Sequence, residues 1–421
     1  MDVVLRCIDC GREYGAEAIY ECKCGGLLDV LYDSRKVKVS REIFDSRTGS
    51  GEYPYQSGIW RFKELIHPLI KPKDIVSRPE GNTNLYSHKK ISEYVGATKI
   101  KLKHEGENPT GSFKDRGMTV GVSEAKRLGM KVVACASTGN TSASLAAYAS
   151  MAGMKCVVFV PEGKIAYGKL SQALAYGARV LQVKGVFDDA MRLVQESSRK
   201  LRMYLLNSVN PWRIEGQKSI MFELVQQYGW NPPDWVVVPA GNLGNTSAFG
   251  KAFEELKKLG LIKKVPRLAA IQATGANPLY RTWKRNSKNL LSVKHPETIA
   301  TAIKIGNPVS WKKALRALKF TNGVVEQVTD QEIMDAKAIV DASGIGCEPA
   351  SAASVAGTKK LVEAGLIKKD DSVACIITGN ILKDPEATVN YHLNKLAGMK
   401  PRFSNRPIVI DATVNAVKKA I

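Results

Sequence analysis

From residue 99 onward the chain alternates short β-branched runs with longer stretches whose apolar residues recur at helical spacing. The runs predict strands at 99–103, 131–136, 155–160, 178–183, 204–207, 235–239, 268–273 and 373–377, with amphipathic helices at 117–128, 142–151, 169–176, 188–199 and 332–342. Strands punctuated by helices in this way are βαβ units on a mainly parallel sheet, so an open α/β fold is expected. Residues 1–30 depart from the pattern as a compact cysteine knuckle. Residues 31–78 form an irregular arm, turn-rich through Asp45-Ser46-Arg47-Thr48-Gly49-Ser50-Gly51. Beyond Asp384 the prolines 385, 401 and 407 mark an extension outside the main sheet.

Composition sharpens this only in part. A chain of 421 residues, 44% of them hydrophobic, can bury a large core and divide into two domains with small extras. No apolar run approaches the roughly 18 residues a membrane span needs. The start lacks a basic segment followed by an apolar core, so a cytoplasmic protein is expected. The net charge of +22 attracts anions, whether nucleic acid, acidic lipid or small phosphorylated metabolites. Yet the cations are scattered and interleaved with acids, as in Glu254-Glu255-Leu256-Lys257-Lys258, which reads as a solvated surface.

In open α/β folds ligands bind beyond the carboxyl ends of the strands, so the loops there matter most. One runs Glu105-Gly106-Glu107-Asn108-Pro109-Thr110-Gly111-Ser112-Phe113-Lys114-Asp115-Arg116-Gly117 and places Lys114 in a first helical turn. A cation is unwelcome at that positive helix end, and neutralisation as an imine removes the conflict. A snorkelling surface lysine is the plainer alternative. A second loop, Ser137-Thr138-Gly139-Asn140-Thr141-Ser142, offers N–H groups and hydroxyls suited to a carboxylate, or simply an N-cap. The third, Gly241-Asn242-Leu243-Gly244-Asn245, can curl successive N–H groups toward one phosphate; it is neither a Walker loop nor a dinucleotide fingerprint. A fourth ends a buried strand in Thr378, whose hydroxyl can reach a ring nitrogen or cap the next turn. Together the four describe a pyridoxal phosphate site.

These segments carry a family resemblance. The sequence resembles the fold-type II pyridoxal-phosphate enzymes, and within them the threonine synthases, from Cys7 to about Asp384. The resemblance rests on Glu80-Gly81-Asn82-Thr83, the Lys114 segment, Asn207-Ser208-Val209-Asn210-Pro211-Trp212-Arg213 and Glu215-Gly216-Gln217-Lys218. It continues through the glycine loop, Ala300-Thr301-Ala302-Ile303-Lys304-Ile305-Gly306-Asn307-Pro308 and Gly346-Cys347-Glu348-Pro349-Ala350-Ser351. One departure is Asn84, where proline often follows the Asn-Thr pair.

The resemblance implies two open, twisted, mainly parallel sheets flanked by helices, shared between a large cofactor-binding domain (79–111 and 207–385) and a small mobile domain (112–206). It implies that Lys114 is the catalytic residue and joins the cofactor covalently. Asn140 would meet the ring hydroxyl, Gly241, Asn242, Leu243, Gly244 and Asn245 the cofactor phosphate, and Thr378 the pyridine nitrogen. Ser137, Thr138 and Thr141 would take the substrate carboxylate. Asn207, Ser208 and Arg213, with Lys218, would grip the substrate's phosphate. The implied reaction is loss of phosphate from a phosphorylated homoserine and addition of water to give threonine, in a homodimer acting on a small phosphorylated amino acid. Cysteate synthase and a serine or threonine dehydratase are the enzymatic alternatives.

Cys7, Cys10, Cys22 and Cys24 place four thiols between residues 7 and 24, enough for one tetrahedral structural zinc in a zinc-ribbon-like knuckle, or for a knuckle that has lost its metal. The other four cysteines lie far apart and read as reduced core residues. A basic protein with a zinc-ribbon-like start invites a nucleic-acid reading, but 7% aromatic content and no clustered basic helix argue against specific nucleic-acid binding. Neither nucleic acid nor membrane is therefore expected as a partner.

Overall fold

The computed structural model describes residues 3–33, 36–163, 167–185 and 187–421. Its largest sheet runs in the order Val324–Val328, Arg267–Ala273, Trp235–Pro239, Ser372–Ile377, Lys99–His104, Leu85–Tyr86. All neighbours are parallel except the short edge strand Leu85–Tyr86. A second, wholly parallel sheet runs Arg179–Val183, Lys155–Pro161, Val132–Ala136, Tyr204–Leu205. The expected α/β fold with helix-flanked sheets is present.

Parallel strands covered on both faces read as continuous apolar runs rather than alternating ones. Trp235–Pro239 is of this kind, buried at every position. Its period-2 geometry sends Val236 and Val238 into one core and Trp235 and Val237 into another. Val132–Ala136 divides likewise, with Val133 and Cys135 on one face and Ala134 and Ala136 on the other.

Two helices bring the sheets together. Lys114–Arg127 leaves the larger sheet, and Pro211–Gln227 follows the last strand of the smaller one. They cross so closely that a Cβ at Gly216 would lie 1.9 Å from the Arg116 carbonyl oxygen. Only glycine permits that approach, which brings the start of one helix alongside the start of the other. Beneath the crossing, Glu223 receives Lys103 at 2.5 Å, Arg116 at 2.8 Å and Arg61 at 3.2 Å. Burial opposes charge on Glu223, but these three cations hold its carboxyl well below the usual range.

Residues 31–78 are less detached than an irregular arm suggests. Phe44, Ile59, Trp60, Phe62, Leu65 and Ile66 are fully buried in the same core as Val236 and Val238. The N-terminal segment forms a three-stranded antiparallel sheet, with Val3–Cys7 between Glu13–Tyr14 and Leu28–Tyr32. Polar contacts anchor it: Asp29 meets the buried Lys313 at 2.8 Å and the half-exposed Arg316 at 2.7 Å, and Lys251 donates to the Val30 carbonyl at 2.6 Å. At the other end, Pro385–His392 is fixed through Tyr391, whose hydroxyl donates to Asp335 at 2.6 Å, while Val414–Ala420 lies on the surface with no buried residue. No helix among the described residues is long and apolar enough to cross a membrane.

Candidate active site

A cavity of about 1050 Å³ opens where the carboxyl ends of strands from both sheets converge. The loops singled out from sequence all reach it: the one ending in Lys114, Ser137 to Thr141, Asn207 to Arg213, Gly241 to Asn245, and Thr378.

Lys114 is the first residue of its helix, and the preceding Phe113 supplies no side-chain cap. Its Nζ makes no hydrogen bond or ion pair among the described residues and lies 4.3 Å from the Phe113 ring centroid. Desolvation first, then the positive charge of Arg213, push this amine down to about 7, with Glu348 opposing. A large fraction is therefore a neutral nucleophile at physiological pH.

Asn140 begins the helix Asn140–Met151, whose N-terminus has no side-chain cap, leaving first-turn N–H groups available to an anion. Ser137 Oγ accepts from the Gly139 N–H at 3.2 Å and shapes that turn. Thr138 and Thr141 line the cavity beside it. Thr378 is buried, and its Oγ1 lies 3.0 Å from Ser351 Oγ.

The glycine loop is tightly seated. A Cβ at Gly241 would come within 3.0 Å of Ile303 Cα and 3.1 Å of the Ala302 oxygen. Leu243 is held at a φ of 65°, a conformation that turns successive N–H groups inward. Asn242 donates to Ser208 Oγ at 3.2 Å and accepts from the Val309 N–H at 3.0 Å. Around this loop Asn245 Oδ1, Thr246 Oγ1, Gln217 Oε1 and Arg213 Nε are buried with no hydrogen-bond partner among the described residues. Buried polar atoms are rarely left so, and a concentration of them beside a glycine cradle fits a phosphorylated cofactor. Pyridoxal phosphate therefore fits these residues, which offer an amine at Lys114 and a close-walled glycine loop.

Arg213 donates from Nη1 to the Leu206 carbonyl at 3.1 Å and has no ion pair among the described residues. Burial pushes it down to about 10. A buried guanidinium without a carboxylate is expensive, and an incoming dianion removes the cost.

A model of pyridoxal-phosphate-dependent enzymes matches residues 76–379. The chain is 48% identical to threonine synthase of Methanocaldococcus jannaschii over 99% of its own length and 98% of that protein. It is 46% identical to threonine synthase of Methanosarcina acetivorans, again over 99% and 98%. The chain belongs to the pyridoxal-phosphate-dependent enzymes, among the threonine synthases. Chloroplastic threonine synthase 2 of Arabidopsis thaliana is 41% identical over 95% of this chain and 80% of that one. The solved Escherichia coli threonine synthase shares the fold with a TM-score of 0.70 at 19% identity, covering 99% of both chains.

Two expected substrate contacts stand differently from the rest. Lys218 does not reach the cavity: its ammonium is enclosed by Glu215 at 2.6 Å, Glu255 at 2.7 Å and the Leu65 carbonyl at 2.8 Å. Helical geometry explains this, because position 217, one turn after 213, shares its face, whereas 218 points elsewhere. Asn207 lines the cavity, yet its amide exchanges two 3.0 Å hydrogen bonds with the Ala136 backbone, prolonging the ladder past Leu205. Sequence reasoning passed over Gln217, Glu348 and Lys383, all of which line the cavity. The first two lay inside segments that carried the family resemblance, so their signal was present but unassigned.

At the N-terminus, the Sγ atoms of Cys7, Cys10, Cys22 and Cys24 lie within 4.8 Å of one another. Cys7 and Cys24 are 3.5 Å apart, as are Cys10 and Cys22. Zinc–thiolate bonds of about 2.3 Å in a tetrahedron need sulfur separations of about 3.8 Å, so the cluster suits zinc. Backbone N–H groups of Asp9 and Cys10 point at Cys7 Sγ, at 3.4 and 3.5 Å, as donors that stabilise a thiolate.

Proposed function

We propose that the protein is a carbon–oxygen lyase that removes phosphate from O-phospho-L-homoserine and adds water at Cβ, releasing L-threonine and inorganic phosphate. The observation that carries this is the unneutralised, buried Arg213, close enough to Lys114 for its charge to depress that amine. A dehydratase acting on serine or threonine has no phosphate for it to hold.

Pyridoxal phosphate, when bound, supplies the electron sink for charge developing at the substrate's Cα. The chain supplies placement and proton transfer. Lys114, with its lowered proton affinity, removes the Cα proton and shuttles protons among neighbouring carbons. Ser137, Thr138, Thr141 and the capless start of Asn140–Met151 hold the substrate carboxylate. Arg213 and Ser208 take the phosphate, and the guanidinium stabilises negative charge as the Cγ–O bond breaks. Asn140 and Thr378 orient the cofactor ring, and residues 241–245 seat its phosphate. The four-cysteine knuckle binds one structural zinc. The same reading extends to a cytoplasmic homodimer in which a large domain (79–111, 207–385) and a small mobile one (112–206) share the cavity.

Purified protein supplied separately with O-phosphohomoserine, with O-phosphoserine plus sulfite, and with serine or threonine tests the assignment. Equimolar phosphate and threonine from the first substrate alone is expected. Cysteate or keto-acid as the main product would overturn it.

A further inference from the structure

Glu348 stands at the N-cap position of Pro349–Glu363 but makes no capping hydrogen bond. Its carboxyl turns to the cavity instead. Asn140 Nδ2 donates to its two oxygens at 3.1 and 3.4 Å, and Thr378 Oγ1 lies 3.4 Å from Oε1. Thr378 is in turn bonded to Ser351, and the Glu348 N–H donates to the Gly379 carbonyl at 3.1 Å. One carboxyl thus joins a helix of the smaller sheet to a strand end of the larger, between the side chains expected at the cofactor's ring hydroxyl and pyridine nitrogen.

Glu348 is only 5% exposed, yet it has no ion pair among the described residues. The charged and titratable groups that face it are Lys114 from Lys114–Arg127, Lys383 and Asp384 from the turn after the last strand, and its neighbour Cys347. Burial pushes its carboxyl up, while Asn140, Lys383 and Lys114 pull it down. Other buried carboxyls here are satisfied by salt bridges, as Glu223 and Glu105 are, or by several short hydrogen bonds, as Glu80 and Asp115 are, whereas the side-chain contacts of Glu348 are all 3.1 Å or longer. An unpaired one on a cavity wall has the features of a group that acts on what enters.

We propose that Glu348 is a positioning residue of the active site: it aligns the Asn140 amide and the Thr378 hydroxyl toward the cofactor ring and sets the proton affinity of the Lys114 amine. The alignment rests on the pyridoxal phosphate reading above. The coupling to Lys114 does not, because it belongs to the protein alone: the Phe113 N–H donates to the Thr378 carbonyl and the Glu348 N–H to the Gly379 carbonyl, each at 3.1 Å, so Lys114 and Glu348 leave adjoining backbone onto the wall of one cavity.

The coupling is tested in cofactor-free protein by competitive acetylation across pH 5–10, read at the Lys114 peptide by mass spectrometry. Glu348→Gln keeps the shape and deletes the negative charge. Its Lys114 midpoint is expected about one pH unit below wild type, the size of effect a neighbouring opposite charge produces. Glu348→Asp keeps the charge but withdraws it by one methylene, so a smaller fall in the same direction is expected; it stands in should the first variant fail to fold. Wild-type midpoints in every variant that folds would overturn the coupling. In holoenzyme, Glu348→Gln is expected to move the pH midpoint of the visible absorption band while a merely structural residue would leave it in place. Protein that takes up no cofactor, yet shows the Lys114 shift, would sink the pyridoxal phosphate reading and leave the coupling standing.

Discussion

Asn242 donates to the Ser208 hydroxyl at 3.2 Å, so the glycine loop of the larger sheet and the loop at the edge of the smaller one meet in a single hydrogen bond. Asn242 also receives the Val309 N–H at 3.0 Å. On the proposed assignment, the cofactor and substrate phosphate seats are therefore mechanically linked. Asn242→Ala is expected to weaken pyridoxal phosphate binding and to raise KM for the phosphorylated substrate together. About tenfold in each corresponds to one hydrogen bond of ordinary strength. Absorbance titration and steady-state kinetics measure the two, and a change confined to one would separate the seats.

Lys114 with a proton affinity near pH 7 gives a definite pH dependence. Its lowered value means that the reactive neutral amine accumulates as pH rises through about 7 and saturates above it. An ordinary lysine at about 10.4 would be neutral to less than about one part in a thousand at pH 7 and would keep gaining up to pH 10. The rate at which cofactor-free protein takes up pyridoxal phosphate should follow the first curve. Lys114→Ala should abolish both the visible band and the label left by borohydride reduction.

Arg213 and Lys218 lie five residues apart on one helix and should fail in opposite ways. Arg213→Ala removes charge-assisted bonds worth about 1.5–3 kcal/mol each, so kcat/KM for the phosphorylated substrate should fall roughly 10²- to 10⁴-fold if two are lost. Its melting temperature should hold, because no carboxylate among the described residues pairs with it. Lys218→Met leaves Glu215 and Glu255 to share the ammonium of Lys251, and losing one partner of such a buried cluster costs up to about 3–5 kcal/mol. Thermal unfolding should register that loss while KM of the surviving protein stays near wild type.

The cysteine knuckle should hold one equivalent of zinc per chain by elemental analysis. Cys7→Ser should lose it and lower the melting temperature, since Cys7 is buried and accepts two backbone N–H groups. Retention of full stability without metal would show that the small sheet suffices.

The strands were legible because parallel strands buried on both faces write themselves as runs such as Val236-Val237-Val238. Several helices were not. Pro211–Gln227 is buried continuously from Pro211 to Val225, so it shows no polar face for periodicity to detect. Its charges look like surface in sequence, yet Glu215, Lys218 and Glu223 are matched inside the protein. Lys218 was expected at the substrate from the family resemblance, and nothing in the sequence shows the pairing that holds it elsewhere. Lys114, the glycine loop and Thr378 were legible because each follows a recognisable strand. Glu348 was not singled out, since a glutamate before proline looks like a helix start and nothing local shows what it faces.

Lys313 is buried, and its polar contacts, the Asp29 carboxylate and the Leu28 carbonyl, both come from the N-terminal sheet. Trimming the cysteine segment to obtain a minimal catalyst would thus leave an orphaned ammonium on the helix Trp311–Phe320, which begins just after the backbone that braces Asn242. A shortened enzyme would have to be redesigned at that lysine, with an apolar side chain in its place, before its catalytic competence could be judged.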